Sequence, residues 1–187
     1  VIAYEAKSLA HVAPLLKALE EGNPLAKEAT LRLLQALRAL NIERDEQCVL
    51  FIERATYYID RYFAWDLATR TSDILDRALK TNNKDKIKSC GRIGRRLLEW
   101  IWENRKTNND PWINNLGSSW VVQLVARTFE SDPKASRLLL EEVLNLINEE
   151  NFPIRYLDRL IDDLNNIWPY DPSFASAIYL AVFSHYE

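Results

Sequence analysis

Apolar side chains return every third or fourth position through most of this chain, and no other feature of the sequence restricts the fold as strongly. On an α-helix, residues three and four apart stand on one face, whereas a half-buried strand needs a period of two. Leu9, Val12, Leu16 and Leu19 form one such stripe, and Leu157, Leu160, Ile161, Leu164 and Ile167 form another. Glycine usage points the same way. Only four glycines occur in 187 residues, against an average usage of about 7%. Neither Asn-Gly nor Asp-Gly is present, so tight β-hairpin turns have almost no material. With 48% hydrophobic and 27% charged residues, the composition is that of a globular protein rather than a disordered one. The fold class read from these features is all-α.

Punctuation divides the periodic pattern into eight or nine helices. The first runs from about residue 3 to residue 20 and is stopped by Gly22-Asn23-Pro24. Asn23 is the expected N-cap of the next helix, and Pro24 suits its first position. That helix carries Leu25, Ala29, Leu33, Leu34 and Leu37. From Asp45 to Thr81 the pattern is long. Val49, Ile52, Thr56, Ile59 and Phe63 make one stripe, and Leu67, Ile74, Leu75 and Leu79 make another. An interruption is expected at Thr71-Ser72-Asp73 or near residues 64–66. Asn82 and Asn83 form the next turn, before a helix over 84–105 with Ile87, Leu97, Leu98 and Ile101 inward. Residues 106–118 read as a polar loop holding Asp110-Pro111-Trp112. Four helices follow. Val121, Leu124, Val125 and Phe129 line the first. Asp132-Pro133 opens the second, with Leu138, Leu139, Val143, Leu144 and Ile147. Pro153 opens the third. Asp171-Pro172 opens the fourth, with Phe174, Ile178, Ala181 and Val182.

Asp132-Pro133 and Asp171-Pro172 stand 39 residues apart, and each opens the second helix of a pair after a short turn. On that period and cap the chain resembles α-helical repeat arrays of the HEAT and armadillo type, whose units recur at about 40 residues. The resemblance covers about 70 residues and is to the class, with no particular family or activity attached. It implies stacked antiparallel hairpins in an α-α superhelix, each burying one face on the next. An irregular helical bundle with two similar caps is the alternative. The expected organisation is one all-helical segment of a longer intracellular protein. Residues 1–106 and 118–187 would be sub-units joined by the loop 106–118. The chain starts at Val1 without a methionine and ends inside the apolar-periodic run 174–186, which reads as two cuts.

Several function classes lose support at this stage. The net charge of -3 gives no global attraction to nucleic acid. Cys48 and Cys90 have the spacing of neither a zinc site nor a disulfide framework, so a reducing, cytoplasmic setting is expected. No apolar run reaches the ~20 residues that span a bilayer, and no membrane partner is expected. His11 and His185 lie near opposite ends, with no Glu-x-x-His or His-Glu-x-x-His pattern, so neither a di-iron bundle nor a zinc protease is indicated. Nothing calls for a cofactor, and no carboxylate or lysine is singled out as a catalytic group.

Charge is unevenly distributed. From Lys80 to Lys106 there are nine bases and three acids, while from Glu130 to Asp171 there are ten acids and four bases. Lys84, Lys86, Lys88, Arg92, Arg95 and Arg96 are opposed locally only by Asp85. On a helix Lys88, Arg92, Arg95 and Arg96 share a face, which could neutralise phosphates or an acidic protein surface. Gly91 and Gly94 weaken that helix by ~1 kcal/mol each relative to alanine, which suggests close approach by a neighbouring helix or a ligand. A solvated polar face with two packing glycines is the plainer account. Cys90, between Lys88 and Arg92, is either a thiol activated by its neighbours or a buried, inert one.

Two further groups are candidates. Trp112, in the longest loop, is the best surface aromatic for partner binding, because Trp is enriched in interfaces. Trp100 and Trp102, two apart, cannot point the same way. Asp158, Asp162, Asp163 and Asn166 resemble the aspartate-rich metal motif of helical isoprenoid synthases, with Asp158, Asp162 and Asn166 at i, i+4 and i+8. Carboxylates so placed can hold Mg²⁺. The asparagine in the third position and the lack of a second such motif weigh against a metal site and favour a solvated acidic face. The expected function is therefore non-catalytic: a protein-interaction or regulatory helical-repeat module, or scaffold. It would bind a protein partner or other domains of its own chain through Lys84, Lys88, Arg92, Arg95, Arg96 and Trp112. The alternatives are nucleic-acid binding by the basic helix 84–96 and a Mg²⁺-dependent helical enzyme using the 158–166 acidic face.

Overall fold

The computed structural model describes residues 14, 15, 17, 18, 21–23, 25, 26, 28–30, 32, 52, 53, 56, 61–105, 107, 110–114, 120–149 and 158–184. Among these residues the regular structure is helical and there is no strand. The chain is all-α. Readings that fall on His11, Cys48, Pro153, Leu157 and His185 lie outside the described residues. Seven α-helices are labelled here: α1 Arg61–Lys80, α2 Lys84–Arg105, α3 Pro111–Asn114, α4 Trp120–Arg127, α5 Pro133–Ile147, α6 Asp158–Asp163 and α7 Pro172–Phe183. The chain forms two compact units, Val1–Arg96 and Leu97–Glu187, so the division falls within α2.

In the first unit the two described turns each combine a left-handed residue with an asparagine cap. Gly22 sits at φ 71°, and the Asn23 N–H reaches back to the Ala18 carbonyl at 3.0 Å. The Asn23 Oδ1 accepts from the Leu25 N–H at 3.0 Å, so this residue caps the helix as expected. Ala26 and Thr30 are buried there, while Leu25 and Ala29 are exposed. Among the described residues the inward face therefore starts at Ala26 and Thr30 rather than at Leu25 and Ala29. Thr30 fits the inward position because its Oγ1 donates to the Ala26 carbonyl at 2.7 Å.

Helix α1 corrects another expectation. It runs unbroken for 20 residues through Thr71-Ser72-Asp73. Thr71 Oγ1 donates to the Leu67 carbonyl at 2.6 Å, which satisfies the hydroxyl inside the helix. Arg70 is buried to 1% exposure, and its Nη1 lies 3.4 Å from Asp73 Oδ2 one turn on. Ala64, Leu67, Ala68, Ile74, Leu75 and Ala78 face inward; Leu79, expected with them, is exposed. The helix ends in a Schellman turn. The Asn82 N–H donates to the Leu79 carbonyl (3.2 Å) and the Asn83 N–H to Ala78 (2.9 Å), with Asn82 left-handed at φ 49°.

In the second unit two described turns end in Asp-Pro caps. A 3₁₀ turn, Phe129–Ser131, leads into Asp132, and a second, Leu164–Asn166, leads through residues 167–170 into Asp171. Asp132 (φ -162°, ψ 83°) and Asp171 (φ -151°, ψ 80°) adopt nearly the same backbone. Each carboxylate caps its helix, accepting from Ala135 N–H at 3.1 Å and from Phe174 N–H at 3.0 Å, with proline at the first helical position. Helix α4 packs on α5 and α6, α5 packs on α7, and α6 packs on α7. First helices of the two pairs therefore touch each other, and so do second helices.

Side chains also tie one turn to the next. Tyr170 Oη donates to Glu130 Oε2 at 2.7 Å, and the Phe129 and Tyr170 rings lie 6.4 Å apart, tilted. Arg137 on α5 donates to Asp171 and to Glu141, and its guanidinium stands 5.2 Å from the centre of the Phe174 ring. The buried face of α5 is Ser136, Leu140, Val143, Leu146 and Ile147. Leu138, expected inside, is 60% exposed. It stands two residues before Leu140, about 200° around the helix, and so points away from the core.

Candidate functional site

A concavity is built by the turn between α1 and α2. Arg77 and Lys80 lie in the last turn of α1, where cations complement the helix dipole. Thr81 Oγ1 donates back to the Arg77 carbonyl at 2.9 Å. Asn83 Oδ1 accepts from the Lys86 N–H at 3.1 Å and caps α2. This hairpin closure swings the start of α2 beside the end of α1. It leaves a cleft of about 570 Å³ whose described lining residues include Arg77, Lys80, Lys86, Thr81 and Asn83. Ile74 and Ala78, both 1% exposed, supply its apolar floor. Among the described lining residues there are three cations and no carboxylate. Such a site favours an anionic group attached to an apolar body.

None of Lys84, Lys88, Arg92, Arg95 and Arg96, the basic residues expected to bind a partner, is among the described lining residues; of the basic run only Lys86 is. Lys84 and Lys88 are exposed on α2. Arg92 is engaged by Glu53: Nε donates to Oε1 and Nη2 to Oε2 at 3.0 Å, with Ser89 Oγ accepting at 2.9 Å. A bidentate carboxylate neutralises the guanidinium and fixes its position. Arg95 is only 9% exposed and Arg96 is half-buried. The four residues expected to share one solvated face therefore do not present four cations to a partner. The physical reason is that α2 is buried around most of its circumference, with Ile87, Cys90, Ile93, Leu97, Leu98 and Ile101 inward. Gly91 and Gly94 are buried too, leaving only a narrow exposed strip.

Arg77 and Lys80 were not singled out by the sequence pattern. The turn separates them from the basic run, and the signal that could have found them was the pair of bases just before Asn82-Asn83. Trp112 sits in α3, a short helix within the expected loop, opened by Asp110, whose Oδ1 accepts the Trp112 N–H at 2.8 Å. The side chain is half-buried and its indole Nε1 is buried, so the ring is partly committed to the protein interior. Trp100 and Trp102 are both half-buried. Cys90 is buried.

The acidic candidates are spread out. The α-helix ends at Asp163 and tightens into the 3₁₀ turn Leu164–Asn166, so the i, i+4, i+8 register from Asp158 to Asn166 does not persist. Asp162 and Asn166 are exposed, and Asn166 Nδ2 donates to the Asp163 carbonyl at 3.2 Å. Asp163 is half-buried, and burial pushes its carboxyl up to about 6, Arg127 pulling down and Asp162 adding to the rise. Among the described residues no group of three or more metal-ligating side chains converges. No helix among them is long and apolar enough to cross a membrane. No family model, curated protein or solved structure matches the chain.

Proposed function

We propose that the chain is a non-catalytic protein-interaction module built of stacked, HEAT-like helical hairpins in a longer intracellular protein. Its basic cleft receives an acidic segment of a protein partner or of another domain of its own chain. The observation that carries this reading is the cleft itself, which sets Arg77, Lys80 and Lys86 around the apolar pair Ile74 and Ala78. Carboxylates on a partner would lie in the positive potential around Arg77, Lys80 and Lys86, and one apolar side chain beside them covers the floor. Tandem hairpins support the repeat reading. The two Asp-Pro caps share geometry, and helices pack first on first and second on second, which is how a repeat array buries its faces.

The test uses the whole chain and a labelled peptide of alternating glutamate and aspartate around a single phenylalanine, followed by fluorescence anisotropy. Saturable binding that weakens with salt and drops by about tenfold or more in Lys80→Glu/Lys86→Glu supports the reading. Unchanged binding in that variant, with the helical circular dichroism intact, refutes the cleft as the site. A short DNA duplex in the same assay separates the nucleic-acid alternative. Tight binding to DNA, with a steep linear fall of log affinity against log salt and weak binding to the peptide, would replace this proposal.

A further inference from the structure

Helix α5 carries an acidic strip outside the core. Leu138, Glu142 and Asn145 are exposed and recur at spacings of four and three, so they stand on one face. Glu149, just beyond the helix end, is exposed as well. Leu138 is 60% exposed, an isolated apolar side chain on the face of the carboxylates. No basic residue stands in the last turn of α5, so the negative end of the helix dipole adds to Glu142 and Glu149. The bases lie toward the start of the helix. Lys134 is exposed there, and Arg137 is held by Glu141 and Asp171.

The basic cleft is the complement of this strip. Arg77, Lys80 and Lys86 stand around the apolar pair Ile74 and Ala78. Lys84 and Lys88 are exposed on the same helix as Lys86, with Asp85 the acid among them. Leu138 and Glu142 lie about 6 Å apart along the helix axis, a spacing that a cleft of about 570 Å³ accommodates. One chain therefore holds both halves of a recognition: cations about an apolar floor, and carboxylates beside an exposed leucine.

We infer that the occupant of the basic cleft is a second copy of this chain, which seats its α5 strip there. Leu138 of that copy covers the floor of Ile74 and Ala78, and Glu142 and Glu149 lie in the positive potential of the cleft. The inference rests on the cleft reading above and names its partner. The two patches are different surfaces, so the contact is heterologous, and a copy that offers its strip keeps its own cleft open for the next. Association therefore continues past a dimer, into rings or chains. A contact this small holds weakly, so the assemblies form with rising concentration and part with rising salt.

Sedimentation velocity on the full chain tests this, from micromolar to millimolar concentration. The sedimentation coefficient should rise with concentration at low salt and return to that of the monomer at high salt. Lys80→Glu/Lys86→Glu spoils the cleft alone, and Leu138→Ser/Glu142→Gln/Glu149→Gln spoils the strip alone. Each should weaken self-association by about tenfold or more. Mixed together, the two variants keep one sound patch each and should form a one-to-one dimer that grows no further. Leu180→Ser, at a leucine of α7 that is 65% exposed, should associate as the parent does. Circular dichroism confirms that every variant is folded. A chain that binds the acidic peptide in its cleft yet stays monomeric throughout would overturn this inference and leave the cleft reading standing. Failure of both peptide binding and self-association would overturn both. Association that survives the cleft and strip variants, or that Leu180→Ser alone abolishes, would assign the contact to another surface and overturn the inference.

Discussion

The two units turn the chain by different chemistry. In the first, the corners at Gly22-Asn23 and Asn82-Asn83 are closed within themselves by a left-handed residue, a reach-back N–H and an asparagine cap. In the second, the corners at Asp132 and Asp171 are closed by Asp-Pro caps, and their side chains also grip the neighbouring corner. A turn of the first kind fixes one hairpin. A turn of the second kind fixes a hairpin and its position against the next. Asp171 shows this double duty. Burial works to raise its carboxyl, yet the Phe174 N–H, Ser173 Oγ and Arg137 together hold it below the usual carboxylate range.

The largest test of this contrast is Phe129→Ala. Phe129 is fully buried where the two corners of the second unit meet, so its loss should cost about 3–5 kcal/mol in urea unfolding. A loss below about 1 kcal/mol would show that the corner is not packed as described. Next comes Asp171→Ala, expected to cost about 2 kcal/mol, the upper end for cap losses. Asp132→Ala and Asn83→Ala remove caps alone and should cost about 1 kcal/mol each. In an Arg137→Ala background the excess at Asp171 should vanish; if it persists, the corner-to-corner grip is not its cause.

Asn82 sharpens the comparison from the other side. Its φ of 49° is a conformation that β-branched residues resist, so Asn82→Val should destabilise by about 1–2 kcal/mol. Asn82→Gly should be neutral or slightly stabilising by the same measurement. The smallest expected effect concerns pH. The folded Asp163 carboxyl holds its proton up to about pH 6, whereas the unfolded one releases it near pH 4. Between those values the folded chain binds the extra proton, so stability falls as pH rises across that window. Asp163→Asn should flatten this dependence in thermal melts between pH 4 and pH 7. Discounted for partial exposure, the gain at pH 7 should be about 1 kcal/mol. An unchanged pH profile would show that burial is not raising this carboxyl.

Helix starts and corners were legible in the sequence because they depend on local chemistry. Asp-Pro, Asn-Pro and Asn-Asn name a cap without reference to the rest of the chain. Helix rotation was less legible. Leu138-Leu139-Leu140 presents apolar side chains over too wide an arc to fix a phase, and Leu25 stands beside Ala26, which is small enough to pack closely. Leu138 and Leu25 were misread for those reasons. Thr71-Ser72-Asp73 looked like an interruption, because a hydroxyl bonded back to its own helix, as at Thr71, cannot be told from a turn-forming one in sequence. The basic site was legible only in part. Of the basic run only Lys86 lines the cleft, and the burial of Arg95, the engagement of Arg92 by Glu53 and the recruitment of Arg77 and Lys80 all follow from tertiary packing.

Two successive hairpins of the second unit meet at their corners. Nuclear Overhauser contacts on the labelled full chain test this most directly. The account predicts cross-peaks between the Phe129 and Tyr170 rings, and between the Arg137 side chain and the Phe174 ring. A spectrum with helices over 133–147 and 172–183 but neither set of cross-peaks would contradict it.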